Sequence, residues 1–179
     1  MGRSSVAGLV ILAGFLVSGL PGSDALSVPA QTSVEAARFG EAEVARFLQR
    51  ANATLSREDV RRASAAVIRY SAKYGLDPML VTQVLWVESG ARPWARSPLG
   101  AVGLMQVMPH MAEQLGLSGS LASIETNLEA GCWILADNIR RLGEEDGISA
   151  YFWGSDIRSV AYLQRVRAAR AAVRDASES

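Results

Sequence analysis

From Ser56 onward, apolar residues return at every third or fourth position, and no segment alternates apolar with polar over a convincing length. That period belongs to helices packed on helices, so the chain is expected to be all-α. Ser56 followed by Asp59 is an N-cap arrangement; Val60, Ala63, Val67, Tyr70 and Tyr74 then mark one face as far as Gly75, which ends the helix. Asp77-Pro78 caps and opens an apolar helix through Met79, Leu80, Val84, Leu85 and Val87 to Glu88. Gly90, Pro93, Pro98, Gly100 and Gly103 crowd the next stretch, 89–103, which reads as an ordered but irregular loop. A short helix is expected from about Leu104, interrupted at Pro109 and resumed to Leu115. Ser123 caps a stripe of Leu128, Cys132, Leu135, Ile139 and Leu142, closed by Gly143. Residues 148–153 read as an aromatic turn. Gly154-Ser155-Asp156 is expected to cap a last helix with Val160, Leu163, Val166 and Ala169 inward and Arg158, Arg165, Arg167 and Arg170 in solvent. Val34, Ala37, Val44, Phe47 and Leu48 add an earlier helix at looser spacing, which makes a compact bundle of about seven.

Charge and rare residues narrow the function. Lys and Arg total 18 against 18 Asp and Glu, so a general electrostatic grip on nucleic acid is not expected. With one Cys and one His, an internal disulfide and a zinc site of the usual spacing are excluded, and no metal or cofactor is expected. Cys132 reads as a small buried apolar residue. At the N-terminus, Arg3, an apolar run from Val6 to Leu20 and the small residues Ser23 and Ala25 resemble a cleaved secretory signal over 1–25. The run is shorter than the roughly 20 residues a spanning helix needs. The expected organisation is a signal over 1–25, an N-terminal helical extension over 26–55, the main domain over 56–172 and a flexible C-terminus over 173–179.

Three clusters carry chemistry: Glu88-Ser89-Gly90, the run Gly103-Leu104-Met105-Gln106-Val107-Met108-Pro109, and Tyr151-Phe152-Trp153-Gly154. Glu88 follows eleven residues with no charge except Asp77. Apolar neighbours would desolvate its carboxyl and raise its pKa, and a carboxyl held protonated near neutrality is a general acid.

These clusters, with Ser97-Pro98 and Gly100-Ala101 between them, resemble the signature of the soluble lytic transglycosylases, whose fold is similar to goose-type lysozyme. Asn127-Leu128 with Gly131 and Leu135 is similar to the family's later helix start, and Ala150-Tyr151 with Gly154 to its tyrosine motif. The likeness spans roughly 57–168. It implies cleavage of the β-1,4 bond between N-acetylmuramic acid and N-acetylglucosamine in peptidoglycan, with 1,6-anhydromuramoyl ends and Glu88 as acid, then base. Ser97 and Gln106 are then expected to contact sugar or Glu88, Met105 to line the cleft, and Tyr151 to place its hydroxyl near Glu88. Ser89 is expected to be a structural hydrogen-bonder, and Gly90 and Gly103 to allow close backbone approach. Trp94, Phe152 and Trp153 are candidates for stacking on sugar, whereas Trp86 and Trp133 read as core. The family commonly has Asn where this chain has Phe152.

Most glycosidases use two carboxylates, and the three clusters hold one. A goose-type lysozyme-like hydrolase would need a second, with Glu113 and Glu125 as candidates. A non-catalytic peptidoglycan-binding or assembly protein is the other alternative, favoured by Phe152 alone. Export to the periplasm or envelope follows from the leader, and the expected partners are glycan strands and, without residues to identify it, some envelope machine for secretion, pilus assembly or conjugation.

Overall fold

The computed structural model describes residues 39–116 and 119–178, so the expected leader and the start of the N-terminal extension lie outside the described residues. Seven helices are found there: α1 Glu41–Ala51, α2 Arg57–Tyr74, α3 Pro78–Ser89, α4 Pro109–Gln114, α5 Ile124–Leu142, α6 Glu144–Trp153 and α7 Ala161–Glu178. The caps act as the sequence implies. Ser56 Oγ accepts from the Asp59 N–H at 3.0 Å, and Asp77 Oδ1 from that of Met79 at 2.8 Å.

α3 is apolar on every side, with Val81, Val84 and Leu85 fully buried, because it runs through the middle of the molecule against α2 and α7. α5 lies on α2 and on α6, and α1 covers α2 and α7 with Val44, Phe47 and Leu48. Trp86 meets Phe47 edge to face at a centroid distance of 5.7 Å, so the residues expected as an extension belong to the same core. Cys132 is fully buried, and burial pushes its thiol pKa up.

Five local expectations are corrected. Residues 104–108 are not helical: Val102 and Val107 exchange two backbone hydrogen bonds of 3.0 Å, which pull the segment into a tight loop, and the helix starts at Pro109. The aromatic stretch 148–153 is no turn but the end of α6. α7 begins only at Ala161, leaving Val160 exposed and turning Tyr162 inward. It also continues to Glu178, with Val173 and Ser177 buried, where a flexible C-terminus was expected from 173. Trp133, expected in the core, is 37% exposed.

Candidate active site

Glu88 occupies the last turn of α3, which ends because Gly90 takes the left-handed conformation at φ 59°. The carboxyl faces a cleft of about 580 Å³ walled by the 97–108 loop on one side and by Tyr151, Phe152 and Arg165 on the other. Burial pushes its pKa up; the hydrogen bond from Tyr162 and the Arg165 charge pull the other way without reversing the shift. Tyr162 Oη donates to Glu88 Oε1 at 2.6 Å. The phenol is itself buried, and burial together with the Glu88 charge raises its pKa far above the tyrosine value, so it remains a donor.

The loop wall is built on Asn127. Its Oδ1 accepts from the Met105 N–H at 2.9 Å, while Nδ2 donates to the carbonyls of Val102 at 2.7 Å and Leu121 at 3.2 Å. A Cβ at Gly103 (φ 81°) would collide with that amide, which is why the position is glycine. Gln106 adopts φ 47°, unusual for a residue with a side chain. Its Nε2 donates to the carbonyls of Gly103 at 3.0 Å and Ala95 at 3.2 Å, which tie the strained residue into the loop. Ser97 Oγ accepts from the Ala101 N–H at 3.0 Å, and both Ser97 and Gln106 line the cleft.

A family model described as "Transglycosylase SLT domain" matches residues 65–168, more than half of the chain. The chain belongs to that family. A transglycosylase of Enterobacteria phage PRD1 is 38% identical over 87 residues, 48% of this chain and 32% of that protein. Membrane-bound lytic murein transglycosylase C of Mannheimia succiniciproducens is 35% identical over 88 residues, 42% of this chain and 25% of that protein. The chain thus spans a third or less of these curated relatives. Two solved structures align with a TM-score of 0.48. An inactive variant of lytic transglycosylase Slt from Pseudomonas aeruginosa has 22% identity over 66% of this chain and 24% of its own. The 70 kDa soluble lytic transglycosylase of Escherichia coli has 19% over 80% and 28%.

Within this SLT domain the expected site residues separate. Glu88, Ser97, Gln106 and Tyr151 share the cleft. Met105 does not line it: the side chain is fully buried, packed so closely against Gly131 that no Cβ fits there, and only its carbonyl serves the site. That carbonyl accepts from Tyr151 Oη at 2.8 Å. Tyr151 therefore braces the loop while staying within electrostatic reach of Glu88, and the hydroxyl bonded to Glu88 is that of Tyr162. Ser89 is buried at the end of α3, its Oγ donating to the Leu85 carbonyl at 3.1 Å.

Phe152 lies in the cleft, stacked on Tyr162 with ring centroids 5.2 Å apart, and the Arg165 guanidinium sits 5.5 Å and 5.4 Å from the two ring centres. Arg165, expected in open solvent, is a cleft residue. Trp153 is outside the cleft lining and donates its indole N–H to the Ser159 carbonyl at 3.1 Å. Sequence reasoning missed Tyr162, Arg165, Met108 and Met111 as cleft or acid-contacting residues. The signal available for the first two was their spacing of three on α7, which puts both on one face.

Proposed function

We propose that this domain is a peptidoglycan lytic transglycosylase in which Glu88 acts first as acid and then as base. The observation that carries the reading is a lone carboxyl with a raised pKa: among the described residues, Glu88 is the one acid lining the cleft. Tyr162 occupies Oε1, which leaves Oε2 to deliver the proton to the oxygen between N-acetylmuramic acid and N-acetylglucosamine. As the C1–oxygen bond breaks, the muramoyl C6 hydroxyl oxygen bonds to C1 and its proton passes to the Glu88 carboxylate. A 1,6-anhydro ring results and no water is consumed. An intramolecular hydroxyl has so high an effective concentration that no second protein base is needed.

The hydrolase alternative has less support. Glu125 forms a bidentate pair with Arg62 at 2.8 Å and 2.6 Å, and neither it nor Glu113 lines the cleft. The murein relatives and the leader-like N-terminus favour export to the envelope and peptidoglycan as substrate; serving an envelope machine is compatible with this. The test is mass analysis of wall sacculi after digestion. Muramoyl fragments lighter by one water than lysozyme products are expected. Reducing ends alone would move the domain to the hydrolases, and absence of fragments would favour a binding protein.

A further inference from the structure

Most surface arginines here face a carboxylate: Arg62 pairs with Glu125, Arg141 with Asp137 and Arg167 with Glu145. Arg92 and Arg96 do not, and in this they are like Arg57 and Arg69. No carboxylate among the described residues pairs with either, although the chain as a whole carries equal numbers of acids and bases. They stand two residues to either side of Trp94, which is 62% exposed. Together the three line a pocket of about 270 Å³ whose floor reaches Asn52 and Thr54, just past the end of α1.

This pocket is fixed from several directions. Asn52 Nδ2 donates to the Ala91 carbonyl at 3.0 Å, and its Oδ1 accepts from Thr54 N–H and Oγ1 at 3.1 Å and 2.6 Å. Arg92 Nε donates to the Ser89 carbonyl at 2.7 Å, which holds one edge of the guanidinium and leaves its Nη groups for a ligand. The Ala95 carbonyl, in the pocket lining, accepts from Gly103 N–H and Gln106 Nε2, so the pocket backs directly onto the cleft wall. An exposed indole beside two cations without counter-charges suits an anion carried on a flat or aliphatic body. A neutral sugar would leave both cations unmatched.

Resting on the reading of the domain as a peptidoglycan enzyme, we propose that this pocket is a second binding site, which takes the carboxylate-bearing peptide branches of the wall strand. Trp94 packs on the peptide while Arg92 and Arg96 hold its carboxylates, so a strand in the cleft is engaged at the glycan and at a branch together.

The experiment is a calorimetric titration of the full chain carrying Glu88→Gln with the free wall tetrapeptide, and with the same peptide after its carboxyls are amidated. Binding of the acidic peptide is expected, weakened on the order of tenfold by Arg96→Glu or Trp94→Ala, and by amidation to a similar degree. Both substitutions replace exposed side chains, and a thermal melt checks the fold. Equal affinity for the amidated peptide, unchanged affinity in Arg96→Glu, or no heat with the acidic peptide would overturn the proposal. In the otherwise native chain, Arg96→Ala should slow digestion of intact sacculi yet cleave peptide-stripped glycan at the parental rate; equal slowing on both substrates also overturns it. If the protein cleaves neither substrate but still binds the acidic peptide through Arg96, the transglycosylase reading fails while this site stands.

Discussion

The two walls of the cleft are made differently. The loop wall, 97–108, holds its shape through backbone groups: Asn127 clamps Val102 and Met105, Gln106 ties Gly103 to Ala95, and Tyr151 pins the Met105 carbonyl from across the cleft. The opposite wall works through side chains, with Tyr162 on Glu88, Phe152 on Tyr162 and Arg165 over both rings. One wall sets the room available to a substrate, and the other holds the carboxyl and moderates the rise that burial gives its pKa.

The largest effect should come from the acid that both walls serve. Glu88→Gln is expected to lower turnover by roughly 10²- to 10⁴-fold, the usual worth of a positioned proton donor, measured as release of soluble fragments. The fold should persist, and its pH dependence should change in a defined direction. Because the folded pKa of Glu88 is raised, the native carboxyl is fully stabilising only below the ordinary carboxylate range, and its contribution is lost as pH rises through the folded value. The two proteins should therefore melt alike in acid, with Glu88→Gln gaining relative stability toward alkaline pH.

Asn127→Ala tests the loop wall. Leaving the Met105 N–H buried without a partner, and the Val102 carbonyl with the Val107 N–H as its remaining donor, should cost about 2 kcal/mol, read as a lower denaturant midpoint, with turnover lost as the cleft deforms. On the opposite wall, Tyr162→Phe removes the donor to Oε1 and should leave the melt nearly unchanged. Turnover should fall by about tenfold. Since the Tyr162 hydrogen bond lowers the pKa of Glu88, removing it should shift the alkaline limb of the rate profile to higher pH. A limb that moved down would contradict the assigned geometry.

The loop wall was legible only in its first part. The glycines and prolines of 89–103 announce an ordered loop because each fixes backbone, and backbone demands leave local marks in sequence; 104–108 carries no such mark, and its helical expectation fails on the Val102–Val107 pairing. Met105 was misread because whether a side chain points into a cleft or beneath it depends on Gly131, on another helix. Tyr162 and Arg165 were hidden by a register error. Starting the last helix at 157 rather than at Ala161 made Val160 an inward residue and left Tyr162 without a role, while Arg165 blended into an arginine-rich face. Distances between α3 and α7 are tertiary facts that no local period encodes.

The smallest effect is expected at the exposed ring of the opposite wall. Phe152 is 52% exposed, so Phe152→Asn should change stability by no more than about 1 kcal/mol and turnover by a few-fold at most. A larger loss, measured on sacculi, would mean that stacking on Tyr162 is needed to aim the phenol at Glu88.

The seam between α1 and α7 has a consequence for attachment. Arg46 Nε donates to the Ser177 carbonyl and Arg50 Nη1 to that of Asp175 at 3.4 Å, so the first and last described helices meet at one pole. α7 runs from that pole to the cleft; the fifteen residues between Tyr162 and Ser177 correspond to about 22 Å along its axis. A tether, tag or neighbouring protein joined near either described end would leave from this pole and keep clear of the cleft. Trimming the chain to 65–168 would instead strip α1, the first turns of α2 and the last turns of α7, removing Val44, Phe47, Leu48, Val60 and Val173 from the core.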